Sequence, residues 1–332
     1  MINVFITGGT GFLGRALIRY VLQNGLFGKK YNFHVLTRDV SKFINMYKEF
    51  KDEVGLNFIE GNINNPQTIN FPSKIDFFIH AAGDAKFGPN DDSLNHYLDA
   101  TTSTINALEL SVENNINRFI LLSSGAVYGQ QLLIDGLTEK SSLNLSTSRH
   151  DQAYAFGKLS AEHLCTLYSQ KYKIETIVCR CFSFIGEDVP LDAHFAIGNF
   201  IRDAIWSNEI IVRGDGNAIR SFMDQNDFAV WLLAIMLRGR PNTIYNVGSD
   251  DHVTIKELAT LTQEIISPEK SVRIEGTLNK HFNNSRHIYV PDITKARVEL
   301  NLYFSIGLRE SIRKTANLII KRNRDERFTI RS

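Results

Sequence analysis

The chain carries almost no net charge: 37 Lys and Arg stand against 36 Asp and Glu, leaving +1 over 332 residues. Such a balance gives no field for wrapping nucleic acid or docking on anionic lipid, so neither is an expected partner. The expected partner is small, with its anionic groups met by a few local cations. Cysteine is scarce and odd in number, at Cys165, Cys179 and Cys181. None has metal-ligand spacing to a His pair, so neither a disulfide framework nor a metal site is expected. Cys179 and Cys181 alternate within an apolar run and read as core packing in a reducing compartment. No apolar run reaches the roughly 18 residues of a membrane span. Polar Asn3 and an early glycine turn, with no basic residues ahead of them, do not read as a signal peptide. A cytoplasmic location is the expectation. Internal repeats and low-complexity segments are missing as well.

What is present is ample core, with 43% hydrophobic residues, enough for one elaborated domain or two lobes. Strand-like runs at 2–7, 33–37, 56–60, 75–81, 118–124 and 174–182 alternate with helix-like stretches at 12–24, 98–114 and 151–171. Phe77-Phe78-Ile79-His80-Ala81-Ala82 and Phe119-Ile120-Leu121-Leu122 are apolar on both faces, as central strands of a buried parallel sheet are. The pattern predicts an α/β fold with a Rossmann-type doubly wound parallel sheet. After about 182 the alternation loosens, leaving helices at 227–237, 254–266 and 307–321, a strand at Thr243–Val247 and a charged tail, Lys321–Arg327, read as solvated. The expected division is a dinucleotide-binding lobe, 1–180, and a smaller C-terminal substrate lobe, 181–332, with segments returning to the first.

The first strand runs into Gly8-Gly9-Thr10-Gly11-Phe12-Leu13-Gly14. Gly8 lets the chain turn, Gly11 lets backbone approach a pyrophosphate, and Gly14 permits close helix packing. The helix from Phe12 then points its positive end at the phosphates. A bland glycine turn is the competing reading, but the position after an apolar strand favours a dinucleotide site. Where an acid would bond the ribose hydroxyls, the second strand ends Thr37-Arg38-Asp39. Arg38 suits a 2′-phosphate, which favours NADP; NAD with Asp39 on the ribose is the alternative.

Tyr154 and Lys158 stand at i, i+4 on one helical face. The ammonium favours the phenolate, which suits a general acid/base. Ser124 closes the fifth strand at the carboxyl end of the sheet, where its hydroxyl can hold an oxygen that alternates between alcohol and ketone. Tyr-x-x-x-Lys alone is common on solvated helices; joined to the glycine turn and Ser124 it reads as a reaction centre.

With these residues placed, the chain resembles an extended short-chain dehydrogenase/reductase of the NAD-dependent epimerase/dehydratase family. The resemblance runs nearly end to end, through His80-Ala81-Ala82-Gly83, Ser123-Ser124-Gly125-Ala126-Val127-Tyr128-Gly129, Arg180–Gly186, Gly214-Asp215-Gly216 with Arg220-Ser221-Phe222, and Tyr245-Asn246-Val247-Gly248. It implies nucleotide-sugar substrates, and cofactor contacts from Gly8, Gly11, Phe12, Leu13, Arg38, Asn62, Ile63, Ala81, Ala82, Tyr154 and Lys158. It also implies substrate contacts from Ser124, Ser183 and Arg220, the last on the diphosphate, and a homodimer packed through helices such as 98–114 and 151–171. The chain departs from the family pattern at Asn62 (usually Asp), Asp99 (usually Asn) and Ser183 (usually Asn). Gly125-Ala126 stand where 4,6-dehydratases of the family carry Asp-Glu. Dehydration needs an acid at the leaving hydroxyl and a base at the C–H, and glycine and alanine are neither. The expected activity is therefore NAD(P)H-dependent reduction of a nucleoside-diphosphate 4-keto-6-deoxyhexose at C4, within deoxysugar biosynthesis. Alternatives are a nucleotide-sugar 4-epimerase with tightly bound NAD and, in another class, a noncatalytic dinucleotide sensor.

Overall fold

The computed structural model describes residues 1–83, 92–131, 136–193, 195–276 and 288–329, the last six of these in backbone only. The first strands, β1 (Ile2–Thr7), β2 (Tyr31–Thr37), β3 (Leu56–Glu60), β4 (Phe77–His80), β5 (Arg118–Ser124) and β6 (Glu175–Cys181), are joined by helices. These are α1 (Phe12–Asn24), α2 (Val40–Met46), α3 (Ser93–Glu113) and α4 (Ala153–Tyr172). Every expected strand and long helix of this half is present, with ends moved by a few residues. The chain then adds β7 (Phe184–Ile185), α5 (Ala196–Trp206), β8 (Glu209–Val212), β9 (Ile219–Ser221), β10 (Met223–Asp224) and α6 (Gln225–Arg238). Next, β11 (Thr243–Val247) returns to the first half and pairs in parallel with β6.

The result is a seven-stranded sheet in the order β3-β2-β1-β4-β5-β6-β11, parallel throughout. Its strand order reverses between β1 and β4, and ligands of such sheets bind in the crevice at the carboxyl ends of the strands flanking that reversal. Phe5, Phe78 and Phe119, on neighbouring strands, are fully buried, as the two-faced apolar runs require. One face is covered by α3 and α4, which bury Ala107, Leu108, Ala161 and Cys165. The other is covered by α1 and by α6, which is apolar almost all round. Phe228, Trp231, Leu232 and Ile235 are at most 1% exposed, and the Trp231 indole stacks on Phe304.

The remaining elements are β12 (His252–Thr254), α7 (Ile255–Ile266), β13 (Ser271–Ile274), β14 (Ile288–Tyr289), α8 (Thr294–Leu300) and α9 (Leu308–Thr329); α8 joins the main core, whereas α7 and α9 pack with α5, β8 and the 185–189 segment into a smaller layer. β9 lies between β12 and β14, and β13 pairs with β8. A polar seam ties this layer to the start of the chain. Asp188, 3% exposed, accepts from Arg15 Nε at 2.9 Å and Arg19 Nη2 at 3.1 Å, while Arg15 Nη1 donates to the Thr10 carbonyl at 2.7 Å. The charged tail is helical; Arg322 donates to Glu187 at 2.8 Å, so that residue is paired rather than simply solvated. The side chains of 324–327 lie outside the described residues. All three cysteines are buried thiols, and no helix among the described residues is long and apolar enough to cross a membrane.

Candidate active site

The glycine turn leaves β1 with Gly8 at φ +71°, a left-handed conformation that suits glycine. A Cβ on Gly8 would lie 2.4 Å from the Ala81 carbonyl carbon, so this glycine permits the close approach of the chain after β4. One on Gly14 would lie 2.4 Å from the Gly8 oxygen and the Gly9 Cα, which seats α1 against the turn. A Cβ on Gly11 would meet only the Gly8 oxygen, at 3.2 Å. Gly11 also caps α1 without any side-chain acceptor, so the first-turn amides around Phe12 and Leu13 can receive an anion. Gly9, which the spacing of the turn leaves without a role, also has one: a Cβ there would strike Val35 at 2.6 Å. The cradle, with Ala81 and Ala82 beside it at the strand-order reversal, fits a dinucleotide pyrophosphate.

Arg38 is exposed at the end of β2. Asp39 accepts from Lys42 N at 2.7 Å and caps α2, so one of its oxygens is already occupied. Ile63 is buried and its carbonyl accepts from Asn106 at 2.9 Å. Exposed Asn62 turns its own oxygen to Asn64 N at 3.0 Å, and Asn64 donates in turn to Asp99 at 3.2 Å.

The second cluster forms where β5 ends against α4. Lys158 is 5% exposed and donates to the Leu122 carbonyl at 3.0 Å, two residues before Ser124. Its ammonium lies 6.0 Å from the centre of the Tyr154 ring. A Cβ on Gly83 would lie 3.0 Å from Lys158 Nζ, so the lysine also faces the chain leaving β4. Burial lowers Lys158 to about 8, with Cys181 and Glu162 opposing the fall. Burial pushes the Cys181 thiol up to about 12. His80, fully buried, is driven down to about 3 by burial and then by the Lys158 charge. It stays neutral between Thr7 Oγ1, 2.8 Å from Nδ1, and Ser103 Oγ, 3.4 Å from Nε2.

Ser124 Oγ accepts from Ala126 N at 3.1 Å. The 3-10 turn at 125–128 that follows is closely packed: a Cβ on Gly125 would lie 2.8 Å from Phe182 and 2.9 Å from the Tyr289 hydroxyl. Beneath, Ser123 and Arg180 both donate to Glu162, at 2.5 Å and 2.7 Å, fixing α4 to β5 and β6. Ser183 is half-buried between β6 and β7, its carbonyl accepting from Met223 N at 3.0 Å. Arg220 lies on β9 opposite Tyr289 of β14, 5.8 Å from its ring centre. The structure thus gathers Gly8, Gly11, Gly14, Ala81 and Ala82 around one turn, and Ser124 and Lys158 around the end of β5. Nothing in the sequence pattern points to Tyr289, which links Ser124 to Arg220. β14 is two residues long and gave no periodic signal.

Comparison with known proteins agrees with this layout. The NAD dependent epimerase/dehydratase family model matches residues 4–248. UDP-glucuronic acid decarboxylase 1 of Arabidopsis thaliana is 25% identical over 327 residues, covering 94% of this chain and 68% of that protein. The dTDP-D-glucose 4,6-dehydratase of Dictyostelium discoideum is 25% identical over 276 residues, covering 77% of this chain and 60% of that protein. Among solved structures, UDP-glucose 4-epimerase of Thermotoga maritima shares the fold with a TM-score of 0.82 at 19% identity, covering 97% of this chain and all of that one. UDP-glucuronic acid 4-epimerase of Bacillus cereus, solved with NAD, gives 0.79 at 20% identity over 96% of this chain and 99% of that one. The chain belongs to the NAD-dependent epimerase/dehydratase family, of the extended short-chain dehydrogenase/reductase type.

Proposed function

We propose that the protein transfers a hydride between a nicotinamide dinucleotide and C4 of a nucleoside-diphosphate hexose, in the direction of reducing a 4-keto-6-deoxy sugar. The observation that carries this reading is the turn after Ser124. Gly125 and Ala126 offer neither acid nor base, and the space above Gly125 is taken by Phe182 and the Tyr289 hydroxyl. Ser124 and Lys158 are nonetheless gathered for carbonyl chemistry, which favours redox at one carbon over loss of water. The bound dinucleotide supplies the hydride. Tyr154 gives its proton to the C4 oxygen, Ser124 holds that oxygen, and Lys158 bonds the nicotinamide ribose while steadying Tyr154. Gly8, Gly11, Gly14, Phe12 and Leu13 seat the pyrophosphate; Asn62, Ile63, Ala81 and Ala82 line the adenosine and nicotinamide halves. Ser183 and Arg220 take the substrate diphosphate. Exposed Arg38, with Asp39 engaged as a cap, favours NADP. Residues 1–180 form the dinucleotide lobe and 181–332 mainly the substrate lobe. Exposed Leu94, Leu98 and Leu167 on α3 and α4 suit a homodimer packed through these helices.

A second reading, 4-epimerisation with tightly held NAD, gains support from the fold shared with epimerases. The deciding experiment mixes the protein with NADPH and 4-keto-6-deoxy nucleotide sugars. One NADPH consumed per alcohol formed is expected. Interconversion of C4 epimers by protein that retains NAD through purification would replace the proposal with epimerisation. Release of carbon dioxide from a nucleotide-linked uronic acid would replace it with decarboxylation, and loss of water from a nucleotide-linked glucose would restore dehydration.

A further inference from the structure

Tyr289 reaches the end of β5 from the far part of the chain. It is 8% exposed, and its ring packs on Phe182 with centres 4.7 Å apart. The hydroxyl lies 3.5 Å from Ser124 Oγ and 3.4 Å from the Cys181 carbonyl. Both distances are at the long end for hydroxyl hydrogen bonds, so these two acceptors among the described residues lie at nearly equal reach of the phenolic proton. Such contacts often tighten only when substrate binds.

A serine hydroxyl has one proton and two acceptor lone pairs. On Ser124 one lone pair is taken by Ala126 N–H at 3.1 Å. If Tyr289 donates to the other, the serine proton is left to point at a third group. If Tyr289 donates to Cys181 instead, Ser124 can turn its proton onto the phenolic oxygen and away from a ligand. The choice made by Tyr289 therefore sets the direction of the Ser124 proton. Gly125 is what allows this, since a Cβ there would lie 2.9 Å from the Tyr289 hydroxyl.

We propose that Tyr289 is a positioning residue of the reaction centre: its hydroxyl donates to Ser124 Oγ in the substrate-bound state, so that Ser124 donates its own proton to the reacting oxygen. This rests on Ser124 holding that oxygen, as proposed above. No proton is transferred; two hydrogen bonds are aligned in series.

Tyr289→Phe keeps the ring and removes only the hydroxyl. The expected result is a kcat about 3–12-fold lower, the weight of one neutral hydrogen bond, with KM for the nucleotide sugar within about twofold. In a Ser124→Ala background the same change should cost less than about twofold more, because the interaction it removes is already gone. A full additional loss in that background, or wild-type kcat in Tyr289→Phe, would overturn the proposal. Should the wild-type protein turn over no nucleotide sugar, the functional reading fails and a second measurement decides. With carbon-13 at every tyrosine Cζ, the resonance missing from Tyr289→Phe is that of Tyr289. It should shift in Ser124→Ala, and an unmoved resonance would refute the link.

Discussion

At the scale of single residues, the lysine and histidine nearest the β5 end are held against their own solvation. Lys158 ionises near 8 in the native chain because it is buried, whereas an unfolded lysine does so near 10.4. Below pH 8 both states are protonated and the native state bears the full cost of a buried ammonium. Between about 8 and 10.4 the unfolded state alone keeps the proton, so stability rises with pH. Lys158→Met should accordingly be more stable than wild type by about 1–3 kcal/mol at pH 7, and the gap should close by pH 10. Urea unfolding at the two pH values checks this. His80 follows the same sign lower on the pH scale: its native value of about 3 lies below the unfolded value near 6.5. As pH falls through that window the unfolded state takes a proton that the native state refuses, and stability is lost. His80→Asn should flatten the acid limb of a stability–pH curve by about 1.4 kcal/mol per pH unit between pH 4 and 6. Equal slopes for the two proteins would clear His80 of the effect.

At the scale of elements, α4 presents Tyr154, Lys158 and Glu162 four residues apart, and the third anchors the first two. Glu162 and Arg180 are 6% and 5% exposed as side chains, so losing one leaves the other charged and buried. Glu162→Gln should cost about 3 kcal/mol in denaturant unfolding, well beyond an ordinary surface change. The long elements were legible in the sequence for different reasons: β4 and β5 are short unbroken apolar runs, apolar on both faces, and α4 is a long stretch free of Pro that sets Tyr154 and Lys158 at helical spacing. The glycine turn was legible because β1 leads straight into it. Helix α5 carries a readable signal too, since Ile197, Phe200, Ile201 and Ala204 recur at helical spacing and are all buried, although the loosened alternation around it masks the element. The strands β9 and β14 were not readable, being three and two residues long, shorter than any period. That is why Arg220 came only through resemblance, and why Tyr289 did not come at all.

At the scale of the whole molecule, the sheet is not closed by the half that begins it. β11 supplies the edge beside β6, and α6 covers α1 with Phe228, Trp231 and Leu232. A fragment ending at residue 180 would expose both the β6 edge and the α1 face, so it should be insoluble when expressed alone. The full chain should remain soluble under the same conditions. A monodisperse, cooperatively melting 1–180 fragment would contradict this account of the core.

The late return of β11 also bears on how the chain is made. The end of β11 at Val247 comes 66 residues after the end of β6 at Cys181. At synthesis rates of about 5–20 residues per second, this stretch takes about 3–13 s to emerge. During that time the nascent sheet offers an unpaired strand and α1 an uncovered apolar face. The nascent chain is most exposed to aggregation while α4, the helix that carries Tyr154 and Lys158, is already complete.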